Sequence, residues 1–210
     1  MINRMVMTQI LTVVFAGLVF FSTAQASDSN PHPQELIKLS TDKMLQALKD
    51  NEQQLAENPD AIFPLVKEIV MPNFDFDKMS KLALGKNWRK ADAGQKERFV
   101  EEFRLLLVRT YSTAMLEYTN EEIRFLPFTD NLEKKKVKVE MEIIQPGGPS
   151  IPMALSMYLT KELGWKVYDV KIDGISLVTN YRSTFAREIR AGGMDEFIDS
   201  LASRNEKVKA

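Results

Sequence analysis

No cysteine occurs among the 210 residues. That removes disulfides, thiolate metal ligands, thiol nucleophiles and a lipidated N-terminal cysteine, and it is compatible with export of a chain that needs no cross-links. Histidine is nearly absent too. The single copy, His32, lies between Pro31 and Pro33, near an end where chains are usually loose, so neither a Ser-His-Asp triad nor a histidine-rich metal site is built from it. Nor is there a surplus of charge: 28 Lys and Arg against 29 Asp and Glu leave a net charge of −1. Nucleic acid demands an excess of basic side chains, and the chain does not have one. It also has no glycine-rich phosphate loop, no internal repeat and no low-complexity linker.

What is present is the composition of one globular domain with a sizeable core, 44% hydrophobic and 27% charged. The first residues stand apart from it. Arg4 supplies a positive start, Ile10 to Phe21 an apolar run, and Ala24-Gln25-Ala26 a small-x-small cleavage site, in the order of a signal peptide. The expected division is a signal peptide over 1–26 and a mature domain over 27–210, beginning at Ser27. The alternative is an uncleaved anchor, for which about a dozen strongly apolar residues make a short span. No later stretch is long and apolar enough to cross a membrane.

The densest ordered signal runs from Leu84 to Tyr118. Asp92 with Gln95 forms a variant of the capping box, and a helix without proline follows to Tyr118. Val100, Phe103, Leu107, Tyr111, Met115 and Tyr118 share one face, while Phe99, Leu105, Leu106 and Val108 make the middle apolar almost all round. Such a helix must be buried on several sides, as the spine of the domain. Ahead of it, Pro31 to Glu57 carries a stripe of Leu36, Leu39, Met44, Leu45 and Leu48. Asn58-Pro59-Asp60 interrupts the chain, and shorter helices follow through Ile62, Leu65, Val66 and Ile69 and through Phe76, Met79, Leu82 and Leu84, the latter capped by Gly85.

Beyond Tyr118 the period changes from helix to strand. Ile123 to Phe128 reads as a short strand, and Lys136 to Ile143 alternates strictly, with Val137, Val139, Met141 and Ile143 on one face and Lys136, Lys138, Glu140 and Glu142 on the other. A turn through Gln145 to Pro149 leads into Ile151 to Thr160, and the tight Leu163-Gly164 connection leads into Trp165 to Ile172. The fold class is α+β, with a four-stranded antiparallel meander ended by Asp173-Gly174. Asn180 to Arg190 is then a helix, separated by Gly192-Gly193 from a last helix bearing Phe197, Ile198 and Leu201.

Two features leave a functional and a structural reading open. Asp169, inside a strand rich in Val and Tyr, reads either as a carboxylate base with a raised pKa or as an acid satisfied by neighbouring backbone or a cation. Lys134, Lys135 and Lys136 read either as a grip for an anionic head group or membrane surface or as a solvated hairpin tip.

Taken as a set, LGKNWRKA, Gln95, the FVEEFRLLLVRTYSTAML helix and the later WKVYDVKIDGISLVTNYRSTF resemble the MlaC or toluene-tolerance auxiliary family of periplasmic phospholipid carriers, over nearly the whole mature chain. The resemblance implies a strongly twisted sheet wrapped by helices, enclosing an apolar pocket for acyl chains with the head group outside. It implies phospholipid as ligand with no other cofactor and no metal. It further implies a periplasmic shuttle, maintaining outer-membrane lipid asymmetry, whose partners are an outer-membrane lipoprotein complex and an inner-membrane ABC transporter assembly. No catalytic residue belongs to the family. The competing function is a small exported enzyme on a cone-like α+β scaffold with Asp169 as base, and a pure interaction module is a third. On the carrier reading the pocket wall lies between the spine helix and the apolar strand faces. It comprises Tyr111 and Met115, then Val139, Met141, Met153, Leu155 and Met157, and finally Val170, Ile172, Ile175, Leu177 and Tyr181.

Overall fold

The computed structural model describes residues 30–116, 122–145 and 147–207. The expected signal peptide and Tyr118 lie outside them. Helix α1 (Pro33–Asp50) begins with proline in its first turn, and the His32 ring accepts a hydrogen bond from the Gln34 amide at 3.3 Å. His32 is not loose. Its ring meets Phe128 edge-on at 4.5 Å, and Gln34 donates to the Leu126 carbonyl at 2.7 Å, so the start of α1 is tied to the loop after the first strand. The apolar stripe of α1 turns on Ile37 and Met44, both buried, while Leu39, expected on it, is 56% exposed. Asn51 separates α1 from the short α2 (Glu52–Glu57), and α3 (Ile62–Ile69) and α4 (Phe76–Leu84) follow.

Gly85 ends α4 at φ 55°, where a side chain is strained, and an added Cβ would stand 3.3 Å from Arg182 Cδ. The spine is α5 (Ala93–Leu116), about 36 Å long at 1.5 Å per residue. Both arms of its capping box are made: the Gln95 amide donates to Asp92 Oδ1 at 2.8 Å and the Asp92 amide to Gln95 Oε1 at 3.1 Å.

The antiparallel sheet has five strands in sequence order, β1 (Glu122–Phe125), β2 (Lys136–Ile144), β3 (Ile151–Leu159), β4 (Trp165–Ile172) and β5 (Ile175–Ser176), one more than the four expected. The reason is the Asp173-Gly174 pair, read from sequence as the end of the sheet. With φ of 49° and 77°, these two residues make a tight hairpin loop and fold Ile175 and Ser176 back onto Ile172 and Lys171.

The last helix, α6 (Leu177–Lys207), starts earlier than expected and is broken only at Gly193, where φ is 85°. Its early start has a local cause. Ser176 Oγ accepts from the Thr179 amide at 3.1 Å, Asp169 Oδ1 accepts from the Val178 amide at 3.2 Å, and the Ser176 hydroxyl donates to Asp169 Oδ2 at 2.7 Å. Two amides of the first turn are thus capped, one from the chain itself and one from β4.

Three apolar clusters fill the domain. One is aromatic, with Phe99, Phe103, Phe185 and Phe197 between α4, α5 and α6. The second lies under the sheet, and the third joins α1, α2 and α3 to Val108, Met115 and Leu116 of α5. Helix α5 borders all three, which is why its middle is apolar on every side.

Candidate functional site

The alternation in β2 puts Val137, Val139 and Met141 inside, while Lys136, Lys138 and Glu140 are exposed. Strand register then builds rows across the inner face. Val137 stands opposite Met157, which faces Val167; Val139 stands opposite Leu155, which faces Val170; and Phe125, Met141, Met153 and Ile172 form the third. A bulge makes this possible. Ser156 pairs with Asp169 but Met157 pairs with Val167, leaving Tyr168 as the extra residue of β4. The inward phase changes there, so that Trp165 and Val167 on one side of it and Val170 and Ile172 on the other all reach the same cluster.

Of the residues assigned to the wall, Val139, Met141, Leu155, Met157, Val170 and Leu177 are buried in this cluster, and Met153, Ile172 and Tyr111 pack against it. Tyr111 also touches the aromatic cluster, and so stands where the two meet. Burial, and then the Tyr181 hydroxyl beside it, pushes its phenol up to about 12, so it stays neutral. The others fall elsewhere. Tyr181 packs among Phe103 and Phe185 at 5.3 Å from each, Met115 joins the α1–α3 cluster, and Ile175 is 60% exposed and outside all three clusters. Trp165, Val167, Val137, Ile37 and Phe74 belong to the inner surface and were not assigned to it. The signal for the β4 pair was legible as two alternating runs, one residue out of phase, in WKVYDVKI.

Asp169 has both oxygens engaged at the start of α6, the structural of its two readings. Lys134, Lys135 and Lys136 are exposed, the first two on a short turn that Asn131 caps through the Glu133 amide at 2.8 Å and the third opening β2. No cluster of His, Asp and Glu able to hold a metal occurs among the described residues.

Two clefts open on other parts of the surface. One of about 640 Å³ lies between Trp88, the start of α5 and Ile198. The other, about 560 Å³, is lined by Phe74, Phe76, Tyr158, Lys166 and Arg104. At its side the Lys78 ammonium lies 3.1 Å over the Tyr158 ring, whose hydroxyl donates to Asp75. Burial lowers the Lys78 pKa, with Asp75 opposing, and burial followed by the Asp75 bond raises Tyr158 to about 12. None of the assigned wall residues lines either cleft. The inner face of the sheet is a methionine-bearing apolar surface.

Comparison with known proteins agrees in sequence and in fold. Residues 38–203 match the family model described as MlaC protein. The toluene tolerance protein ttg2D of Pseudomonas putida is 31% identical over 84% of this chain and 83% of its own length. The intermembrane phospholipid transport system binding protein MlaC of Haemophilus influenzae is 23% identical over 91% and 89%. A phospholipid-binding protein from Ralstonia solanacearum, solved in complex with a phospholipid, superposes with a TM-score of 0.77 at 27% identity, covering 85% of this chain and 99% of that one. With its five-stranded sheet, its capped spine helix and most of its length matched, this chain belongs to the MlaC family.

Proposed function

We propose that the protein is an exported phospholipid carrier, which encloses acyl chains against the inner face of the sheet and moves lipid between an outer-membrane lipoprotein complex and an inner-membrane ABC transporter assembly. The observation that carries this reading is the continuous apolar surface of Val137, Val139, Met141, Leu155, Met157 and Val170, on the fold shared with a relative solved holding a phospholipid. At about 0.8 kcal/mol per buried CH₂, two acyl chains left in water cost on the order of 20 kcal/mol, so a carrier must cover nearly all of them. A groove on the surface does not suffice, which is why the inner face and not either open cleft is the proposed wall, with Tyr111 and Leu177 at its margin. Export by removal of the segment through Ala26 and residence in the periplasm belong to the same proposal. Native mass spectrometry of freshly purified protein tests it: phospholipid retained at about one molecule per chain is the expected result, and a chain that neither retains nor takes up phospholipid overturns it.

A further inference from the structure

Between Asp77 and Asp92 the chain carries five cations, Lys78, Lys81, Lys86, Arg89 and Lys90, and no acid, in a protein whose net charge is −1. The fold keeps them together. Lys78 and Lys81 lie on the face of α4 turned away from its buried residues Met79, Ser80, Ala83 and Leu84, and Gly85 then leads into a short 3-10 helix (Gly85–Arg89) that carries Lys86 and Arg89. Lys81, Lys86, Arg89 and Lys90 are all exposed. A sixth cation joins them across the fold: the exposed Arg182 of α6 lies against Gly85 and donates from Nε to the Leu82 carbonyl at 2.7 Å. At the other end burial lowers the Lys78 pKa, Asp75 opposes, and the like charges of Lys136 and Lys81 lower it further, so these lysines share one electrostatic field. None of the six cations makes an ion pair among the described residues. The neighbouring acids have other work: Asp75 accepts from the Lys78 amide and the Tyr158 hydroxyl, and Asp92 accepts from the Gln95 amide. Asp77 is exposed at the opposite end of α4 from Lys86, Arg89 and Lys90.

We infer that this basic strip, from Lys78 and Lys81 through Lys86, Arg89 and Lys90 to Arg182, docks the protein on the surface of an anionic phospholipid bilayer. The inference goes beyond the carrier reading and does not depend on it. Shape favours a bilayer over an acidic protein segment. None of the six cations lines either cleft, so the strip offers a helix face and a turn, with no groove along it to seat a peptide. Four of the six are lysines, flexible and strongly hydrated point charges suited to a diffuse negative surface, whereas grasping single carboxylates favours the bidentate fork of arginine. Trp88, between Lys86 and Arg89, is half-buried and packs on the aromatic cluster, and tryptophan is the side chain that favours a boundary between apolar and wet surroundings. No large apolar side chain is exposed along the strip. The contact is therefore electrostatic and reversible, with each Lys or Arg that reaches the surface worth about fivefold in affinity.

The test is co-sedimentation of the purified protein with vesicles of dioleoylphosphatidylcholine alone or mixed with an equal part of dioleoylphosphatidylglycerol. The wild type is expected to bind the anionic vesicles at least about tenfold more tightly at about 0.01 M salt, and to lose that preference towards about 1 M, as the screening length falls from about 30 Å to about 3 Å. Changing Lys81, Lys86, Arg89 and Lys90 together to Gln should cost at least about tenfold in affinity for the anionic vesicles. The control removes the same charge elsewhere: Lys38, Lys43, Lys49 and Lys67, exposed on α1 and α3, changed together to Gln should stay within about threefold of wild type. Should the strip variant not fold, Lys86→Gln with Lys90→Gln replaces it, and a loss of at least about fivefold is expected. An equal loss in the control means that net charge alone is at work and overturns the strip, as does a wild type with no preference for anionic vesicles. If the wild type ignores vesicles while the strip variant, folded and loaded with lipid, fails to deliver it to membranes bearing the two proposed complexes, the strip faces an acidic protein and the bilayer proposal falls. Native mass spectrometry on the same samples keeps the two proposals apart, because retained phospholipid tests the carrier and vesicle binding tests the strip.

Discussion

Replacing Asp169 by Asn separates the two roles open to that carboxylate. The substitution keeps an oxygen for the Val178 amide, loses the acceptor for the Ser176 hydroxyl, and removes the negative charge at the start of α6. The lost hydrogen bond is worth about 1 kcal/mol net and the charge at a helix N-terminus about 0.3–1 kcal/mol, giving a destabilisation of about 1–2 kcal/mol. At about 2–4 °C per kcal/mol for a domain of this size, Tm falls by about 2–8 °C. Asp169→Ala, which uncaps Val178 as well, costs about 2–3 kcal/mol in all. Because Ser176 and Asp169 hold each other, Ser176→Ala and Asp169→Asn combined should cost less than the sum of the two. Urea unfolding followed by circular dichroism measures these values, and native mass spectrometry with vesicle-to-vesicle transfer measures lipid carriage on the same samples. Lipid content and transfer are expected to stay at wild-type levels. If Asp169→Asn abolishes activity with its stability and bound lipid intact, the carboxylate works on a substrate and the capping argument assigns it the wrong role.

Photo-crosslinking residues at Met141 and Met157, and at Tyr111 on the margin, should capture co-purifying lipid, whereas one at Glu140, on the opposite face of β2, should capture none; lipid at Glu140 alone would mean that the wrong face of the sheet is assigned. Tyr111 and Tyr158 are both held at about 12 against an ordinary 10, so the stability they lend through their neutral forms is complete below pH 10 and is lost as pH rises from 10 through 12. Tyr111→Phe and Tyr158→Phe should each flatten that alkaline slope in a denaturation series, and a slope unchanged in both variants rules these phenols out as its source. Changing Lys134, Lys135 and Lys136 together to Gln should slow lipid transfer only at low salt, with the difference fading near 0.15 M, where screening acts over roughly 8 Å. A large loss independent of salt contradicts their placement on a solvated turn.

How much of this was legible from residues alone depends on whether the signal was local. The capping box of Asp92 and Gln95 involves neighbours on one chain segment, and it is made as the spacing requires. The alternation of β2 is equally local, and every inward residue from Val137 to Met141 is buried. The fifth strand was missed because a two-residue strand has no period to detect. Its signal lay in the turn, where Asp173-Gly174 is as good a hairpin loop as a terminator. The start of α6 was misplaced for the opposite reason: half of its cap comes from Asp169, on another strand, and a cap supplied across the fold leaves no mark in the helix's own sequence.

The inward face was legible in the sheet and poorly legible on the helices, because a strand has two faces and a core helix here has three. Along β2 and β3, one alternating phase suffices to name Val139, Met141, Leu155 and Met157, and register ties them into rows. On α5, Tyr111 and Met115 are one turn apart and look like members of a single surface, yet Tyr111 faces the sheet and aromatic clusters while Met115 faces α3. A helix apolar all round carries boundaries between clusters that its periodicity does not draw. Ser112 is buried on this helix, although a serine adds nothing to its apolar period. The same three-sided spine that makes the fold recognisable therefore hides which of its faces meets which cluster.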